Sequence, residues 1–267
     1  MRTTSGQHRE VYSRTGRTAK TLLALHGCTT SETLKRLIND IAIMKCGECH
    51  KLSRKNAGIS LFQGGCEVSL EFYAEKTNAA CFAIASHQRK RAHCLTIGRF
   101  YNNRLFDAVE IMINDFKQIT EFGQVASSAI AGSKPCLQFS GEKFETDEKF
   151  KMLKNIFLDI FRGRTVSHIN LKGIDRCILL NATDDGFILF RQFAIKYKKS
   201  GTKLPKIYFE EMGPRFDAKV GRSRAPSMNL QKEAFRTSLL DESSVKHSND
   251  KIVDKIGRIH VNNQVDL

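Results

Sequence analysis

The sequence predicts an α/β protein built from two similar halves, and three observations lead to this fold class. Short apolar runs that suit buried strands alternate with segments in which apolar residues recur at helical spacing. Clusters of Asn, Asp and Gly separate these segments as turns do. The order of elements then repeats with a period of roughly 110 residues, which indicates a degenerate internal duplication. A chance succession of strand-rich segments is the alternative explanation.

A strand and a helix open the first half, which we place at residues 18–123. The strand is predicted at residues 21–25, a short apolar run. Thr29 and Glu32 have the spacing of a capping box, and apolar residues then recur at helical spacing up to Lys45. One face of this helix should therefore be buried.

A hairpin, a further strand and a second helix should complete this half. Residues 68–73 and 80–84 flank a polar Glu-Lys-Thr-Asn turn, which predicts the hairpin. The further strand is predicted at residues 94–97, and Gly123 should end the half. The second helix is predicted from the spacing of the apolar residues Leu105, Val109, Met112, Ile113 and Phe116.

The second half, residues 124–216, repeats this order. It should contain a strand at residues 136–139 and a helix from Thr146 that ends at Gly163. The turn Asp184-Asp185-Gly186 predicts a hairpin. The two strands of this hairpin and the strand after it are predicted at residues 176–180, 187–195 and 206–210.

Three further segments lie outside the two halves. Residues 1–17 should be a flexible basic N-terminus, without the apolar run of a secretory signal or a membrane span. Residues 217–240 are basic and should contain a short helix near residues 229–236. Residues 241–267 are polar and mixed in charge, which predicts a disordered tail.

The charge balance indicates a polyanionic partner. The chain has 43 Lys and Arg against 28 Asp and Glu, a formal net charge of +15 and a pI near 9.6. A membrane surface would require a basic amphipathic helix or a lipid anchor, and the sequence shows neither. Nucleic acid is therefore the expected partner, without membrane association. The eight scattered Cys suit reduced thiols in the cytosol or nucleus.

The motif Cys46-Gly-Glu-Cys49-His50, in a predicted loop, has the pattern of a haem attachment site or half of a zinc site. Haem attachment would require an exported protein, and tetrahedral zinc needs a second pair of ligands, for which no matching motif occurs. The sequence also lacks Gly-x-Ser-x-Gly and His-Glu-x-x-His motifs. We therefore expect no metal, cofactor or catalytic activity. A zinc-dependent RNA enzyme built on Cys46, Cys49 and His50 is kept as an alternative.

The basic clusters are the strongest candidate sites, because cations in loops and at strand ends can meet phosphates without disturbing a core. The clustered candidates are Lys51, Arg54, Lys55, Arg89, Lys90, Arg91, Lys198, Lys199, Arg222 and Arg224. The Phe residues lie in apolar runs and the chain has no Trp, so stacking on bases is not indicated. Recognition should therefore favour the shape and backbone of a structured RNA.

Several strings of residues, taken in order, resemble the Brix-domain family. In the first half they are Leu52-Ser-Arg-Lys-Asn56, Gly64-Gly-Cys-Glu-Val-Ser-Leu-Glu-Phe72, Ser86-His-Gln-Arg-Lys-Arg91 and Ile97-Gly-Arg99. In the second half they are Lys134-Pro135, Phe161-Arg-Gly163, Lys198-Lys-Ser-Gly201, Gly213-Pro214 and Lys232-Glu-Ala-Phe-Arg-Thr-Ser238. The similarity runs from about residue 18 to residue 238. It implies two pseudo-symmetric α/β halves that resemble the anticodon-binding fold, in agreement with the duplication.

The resemblance also implies a role, through the subgroup of the family that these strings most resemble. Members of that subgroup act in the nucleolus with a small partner, the regulator of ribosome synthesis, and catalyse no reaction. They dock 5S ribosomal RNA and its two bound ribosomal proteins onto the precursor of the large subunit. The RNA-facing residues that the resemblance implies are the basic loops at Arg54-Lys55, Arg89–Arg91 and Lys198-Lys199, and the segment Arg222–Arg236 should reach toward RNA or protein neighbours. Lys51 and Arg99 are further candidates for RNA contacts. We therefore expect a nucleolar ribosome biogenesis factor that binds 5S rRNA and large-subunit pre-rRNA.

Two other readings stay open beside the zinc enzyme, which predicts stoichiometric metal. A Brix-type factor that binds other ribosomal RNA would differ in its partners. A protein scaffold, whose positive charge binds acidic protein surfaces, predicts little salt-dependent affinity for RNA.

Overall fold

A mixed β-sheet organises the first of two compact units, Met1–Ala225, in the computed structural model. The structure describes residues 19–56, 59, 61–62, 67–127, 130, 132–164, 173–201, 205–239, 247–248 and 256–257. Its strands in this sheet are β1 (Leu22–His26), β2 (Cys49–Lys55), β3 (Cys81–Gln88), β4 (Arg91–Tyr101), β5 (Arg104–Lys117), β6 (Cys136–Ser140), β7 (Arg176–Ala182), β8 (Phe187–Lys198), β9 (Lys206–Glu211) and β10 (Arg215–Arg224). They are ordered β2-β1-β3-β4-β5-β10-β8-β7-β6, with β9 paired to β8.

The sheet has the same topology on both sides of the boundary between β5 and β10. Strand β1 pairs in parallel with β3, which continues into antiparallel β4 and β5. Strand β6 likewise pairs in parallel with β7, which pairs antiparallel with β8, and β8 with β10. Antiparallel pairing of β5 with β10 joins the two halves. This arrangement confirms the predicted α/β class with two pseudo-symmetric halves, whereas the residue boundaries of the domains stay predictions.

Four helices accompany the described part of the sheet. They are α1 (Glu32–Lys45), α2 (Glu67–Thr77), α3 (Lys143–Thr146) and α4 (Glu148–Phe161), and a 3-10 segment follows β5 at Ile119–Ser127. The cap of α1 is Ser31, whose side chain accepts a hydrogen bond from the Leu34 N–H, rather than the predicted Thr29. None of the described helices has the length and apolar composition needed to cross a bilayer.

The core lies on both faces of the sheet. Helices α1 and α4 pack on one face, which Leu22 and Ala24 of β1 also join. Leu23 and Leu25 point to the opposite face, where Leu70 of α2 packs. Strand β1 is therefore buried on both sides, which explains why it is an unbroken apolar run.

Residues 104–117 form the strand β5, so the predicted second helix is wrong. The apolar residues of this segment satisfy helical spacing, but Val109, Ile111 and Ile113 also alternate along a strand and are β-branched. Pairing with β4 on one side and β10 on the other then decides the structure. A strand that is buried on both faces of a sheet has no alternation of apolar and polar residues. The period of two that identifies a strand is therefore missing from this segment, and the helix was predicted instead.

Two more predicted elements are wrong in the first half. Residues 68–73 belong to helix α2 and not to a hairpin, because Leu70 and Ala74, four residues apart, are its buried side chains. The strand prediction there rested on the high β-propensity of Val, Phe and Tyr. The segment Cys49–Lys55, which contains the predicted cations Lys51, Arg54 and Lys55, forms the edge strand β2 and not a loop.

The basic segment after residue 216 differs from its prediction as well. Residues 217–224 continue strand β10, which is central in the sheet. In the second unit, Pro226–Leu267, helix α5 (Met228–Leu239) matches the short helix predicted near residues 229–236. The same unit contains an antiparallel pair, β11 (His247–Ser248) and β12 (Ile256–Gly257). The predicted N-terminal segment 1–17 and most of the predicted tail 241–267 lie outside the described residues.

Candidate RNA-binding surface

The turn between β3 and β4 carries two of the predicted cations at its outer end. Arg89 and Lys90 are exposed, and neither forms an ion pair with any residue that the structure describes. Polar contacts hold the base of the hairpin: the His93 N–H donates to His87 Nδ1 at 3.2 Å, and Ser31 Oγ lies 2.8 Å from His93 Nδ1. The two cations therefore stand on a turn whose base is fixed.

Edge strand β2 ends at the same end of the sheet as this turn. Its last residue, Lys55, is level with His26 of β1, which is level with Ala85 of β3. The Lys51 and Arg54 side chains are exposed, whereas the Lys55 side chain lies outside the described residues. The Lys51 ammonium donates to the neutral Asn39 side chain and so keeps its charge. Strand direction thus brings two predicted clusters to one end of the sheet.

The end of β8 points the same way but forms a separate patch. Lys198 and Lys199 are exposed, and the Lys198 ammonium lies 4.4 Å from the centre of the Tyr208 ring, a cation–π contact. The ladders through β5 and β10 place Phe190 of β8 level with the β3–β4 turn. Spacings of about 3.3 Å along a strand and about 4.8 Å between strands then put Lys198 on the order of 30 Å from that turn.

Arg91 and Arg222, which belong to separate predicted clusters, meet at one buried carboxylate. Glu110 of β5 accepts hydrogen bonds from Arg222 Nε at 2.7 Å and from Arg91 Nη1 at 2.5 Å. Burial raises the pKa of Glu110, but the hydrogen bonds from Arg222 and Cys94 and the two guanidinium charges outweigh it and leave the pKa below its usual value. The Arg222 guanidinium also lies 4.4 Å from the centre of the Phe62 ring. Two guanidinium groups therefore share one carboxylate.

Arg99 is paired with two carboxylates, and its RNA contact stays a prediction. Its Nε donates to both Asp107 oxygens at 3.1 Å, and its Nη1 donates to Asp159 Oδ2 at 3.0 Å. Those two carboxylates balance the charge of a guanidinium whose side chain is 19% exposed. Arg224 is likewise paired, with Glu67. The Arg236 side chain lies outside the described residues.

The motif from Cys46 to His50 spans the end of α1 and the start of β2. Cys46 caps the helix with a left-handed backbone φ of 41°, and Cys49 and His50 are the first residues of the strand. Burial raises the pKa of the Cys49 thiol to about 11. In the described parts of the chain, no three His, Cys, Asp or Glu side chains are grouped as metal ligands would be.

Comparison with known proteins identifies the family. The model of the Brix domain matches residues 27–222, which is most of the chain. The chain belongs to the Brix family. This Brix protein is 37% identical over 251 residues to the Ribosome production factor 2 homolog of Arabidopsis thaliana, and the match covers 92% of this chain and 80% of that protein.

Fungal relatives agree with this result. The Ribosome production factor 2 homolog of Schizosaccharomyces pombe is 33% identical over 256 residues, covering 92% of this chain and 79% of the relative. The Ribosome biogenesis protein RPF2 of Saccharomyces cerevisiae is 30% identical over 259 residues, covering 92% and 74%. These relatives place this Brix protein among ribosome biogenesis factors and confirm the resemblance inferred from the ordered strings.

Proposed function

We propose that this Brix protein binds structured ribosomal RNA through exposed cations at one end of its sheet. The cations are Arg54, Arg89 and Lys90 near the β3–β4 turn, and Lys198 and Lys199 at the end of β8. Within the described residues none of the five is neutralised by a carboxylate, so their charges are available to phosphates, and this observation carries the proposal. A spread on the order of 30 Å suits the backbone of a folded RNA better than a small anion.

The RNA that we propose is 5S rRNA, contacted together with large-subunit pre-rRNA. The protein would help to bring the 5S ribonucleoprotein into the pre-ribosome, with the regulator of ribosome synthesis and the two ribosomal proteins of the 5S particle as partners. Its place of action would be the nucleolus, and it would catalyse no reaction. The names of its relatives, which are ribosome production and ribosome biogenesis factors, support a role in assembly.

A salt series tests this function. The purified chain, with and without the small partner, would be titrated against 5S rRNA and a folded control RNA of the same length between 50 and 200 mM salt. If five cations each meet a phosphate, the slope of log affinity against log salt should be near −4, a loss of roughly 250-fold over this range. We expect tighter binding to 5S rRNA than to the control.

Two other results of the RNA titration would contradict parts of this proposal. Equal affinity for both RNAs would contradict 5S specificity and favour a Brix factor for other ribosomal RNA. Absence of binding at 50 mM salt, with or without the partner, would contradict RNA binding and favour a protein scaffold.

A further inference from the structure

A pocket of about 530 Å³ lies between the end of α1, the end of α4 and the first residues of β7, and it shares no lining residue with the proposed RNA-binding cations. Its size is within the range of about 300–1,000 Å³ found for small-molecule sites. Among the described residues, the charged side chains that line it are Lys45, Lys134, Arg164, Arg176 and Glu48. Four cations therefore face one carboxylate around this space.

Arg176 is a buried cation without a carboxylate partner among the described residues. It is 8% exposed, and its Nε and Nη2 both donate to the Ser133 carbonyl oxygen, Nε at 3.1 Å. The neighbouring Asp175 carboxylate acts on Arg176 only through its charge, since its oxygens accept from the Ile130 N–H and the Ser133 hydroxyl, each at 2.6 Å. Burial lowers the pKa of Arg176, yet an arginine in a protein stays charged. Because buried charges are normally paired, a ligand anion is the natural partner for its outer N–H groups.

Lys45 offers no free donor to a ligand, and Glu48 balances its charge. Its ammonium is held by the Ile160 carbonyl at 2.8 Å, the Lys20 carbonyl at 2.9 Å and the Glu48 carboxylate at 3.3 Å, which uses its three protons. The C-terminal ends of α1 and α4 bring partial negative charge to the pocket, which would oppose an anion. The contact from Lys45 to a carbonyl in the last turn of α4 offsets this effect.

The mouth and the inner wall of the pocket differ in chemistry. At the mouth, the half-buried Lys134 donates to the Arg164 carbonyl oxygen at 2.7 Å and keeps two further protons, and the Arg164 side chain is exposed. The inner wall is apolar and includes Met44 and Phe161, each 7% exposed. An anion at the mouth and a flat apolar group inside would therefore both find partners.

We propose that this pocket binds a nucleoside monophosphate unit. The phosphate is held by the guanidinium groups of Arg176 and Arg164 and by the ammonium of Lys134, because forked guanidinium donors match phosphate oxygens. The base packs against Met44 and Phe161. A free nucleotide and a nucleotide within an RNA chain present the same groups, so either can supply the unit. The proposal is independent of RNA binding at the β3–β4 turn.

Cys46 provides a local readout, since it is exposed and lines the pocket. The full chain would be treated with iodoacetamide, and modification of each cysteine followed by mass spectrometry, with adenosine monophosphate as the probe. At a concentration ten times Kd, alkylation of Cys46 should slow about tenfold, because only the unliganded fraction reacts. Cys28, which is also exposed and lines a different pocket, is the internal control and should react at an unchanged rate. Adenosine, which lacks the phosphate, should not protect Cys46.

Variants at the mouth test the assignment without disturbing the core. Lys134→Ala with Arg164→Ala should raise the concentration for half-protection at least tenfold, since each charged contact contributes about one order of magnitude. Lys149→Ala with Lys151→Ala, on the first turn of α4, is the matched control and should not change it. Arg176→Lys keeps a charge in the interior and should also weaken protection, because the forked geometry is lost.

A short single-stranded RNA with a 5′-phosphate distinguishes the two sources. Protection of Cys46 by this RNA at a lower concentration than by adenosine monophosphate assigns the site to RNA, and protection by the mononucleotide only assigns it to a free nucleotide. Absence of protection by both would overturn the proposal. Protection that persists in the Lys134 and Arg164 double variant, or equal protection by adenosine, would overturn it as well.

Discussion

Asp40 of α1 is a fully buried carboxyl group, and its replacement should change how stability depends on pH. Its Oδ2 accepts a hydrogen bond from the Ile119 N–H at 3.1 Å, whereas Oδ1 has no hydrogen-bond partner among the described residues. Burial raises the pKa of Asp40 from 3.8 to about 6. The Ile119 N–H opposes this rise, and the negative charge of Glu121 adds to it.

The raised pKa means that the folded state binds this proton more tightly than the unfolded state does. The contribution of Asp40 to the free energy of unfolding is therefore most favourable below pH 3.8 and is lost as the pH rises to about 6. A shift of about two units corresponds to about 3 kcal/mol. Asp40→Asn removes the titration and keeps an oxygen for the Ile119 N–H, so the variant should be more stable than the parent by up to about 3 kcal/mol at pH 7.

Urea unfolding of parent and variant, followed by circular dichroism between pH 4 and pH 8, measures this difference. The advantage of Asp40→Asn should shrink as the pH falls through 6 and nearly vanish at pH 4. The exposed Asp185→Asn is the control and should stay within about 0.5 kcal/mol of the parent throughout. A difference between Asp40→Asn and the parent that is the same at every pH would refute the reasoning.

Three other substitutions test the interior and the cysteine motif. Glu110→Ala leaves two guanidinium groups without their shared carboxylate, and because both are partly exposed to water it should lower the free energy of unfolding by about 1–3 kcal/mol in urea titrations. Gly98→Ala should cost at least about 3 kcal/mol, because its Cβ would lie 2.2 Å from a backbone oxygen of β5 and 2.5 Å from Phe82 Cζ. Elemental analysis should find less than one zinc per chain, both in the purified parent and in Cys46→Ser combined with Cys49→Ser.

Each of these three predictions has a result that would contradict it. A Glu110→Ala variant as stable as the parent would show that Arg91 and Arg222 find other partners. Normal stability of Gly98→Ala would mean that β4 and β5 can separate locally. Stoichiometric zinc in the parent that is lost from the double cysteine variant would favour the zinc-dependent enzyme.

Elements with a local signal could be predicted from the sequence. The β7–β8 hairpin follows from Asp184-Asp185-Gly186, since Gly186 adopts the positive φ of 83° that such a turn requires. The helix α4 follows from its regular apolar face. Strand β5 could not be predicted in this way, because its state depends on pairing with β10, whose residues lie about a hundred positions further along the chain.

For the candidate RNA-binding residues, too, the sequence predicts what is local and not what depends on distant partners. Arg89 and Lys90 could be predicted as exposed cations because they lie in a polar turn between two apolar runs. The pairing of Arg99 with Asp159 and of Arg222 with Glu110 could not be, since these partners are 60 and 112 residues apart in sequence. Glu110 lies between the apolar residues Val109 and Ile111, and a carboxylate in such a run is the one local sign that a buried ion pair forms there.

The central claim is that the cations at the β3–β4 turn bind RNA, and charge reversal tests it most directly. The affinity of Arg89→Glu with Lys90→Glu for 5S rRNA would be measured against salt, beside the parent and a control with the same change of charge, Lys149→Glu with Lys151→Glu. We expect weaker binding by the turn variant and a salt slope reduced by roughly 1 for each lost phosphate contact, while the control keeps the parental slope. Equal affinity and equal slope for the turn variant and the parent would contradict the claim.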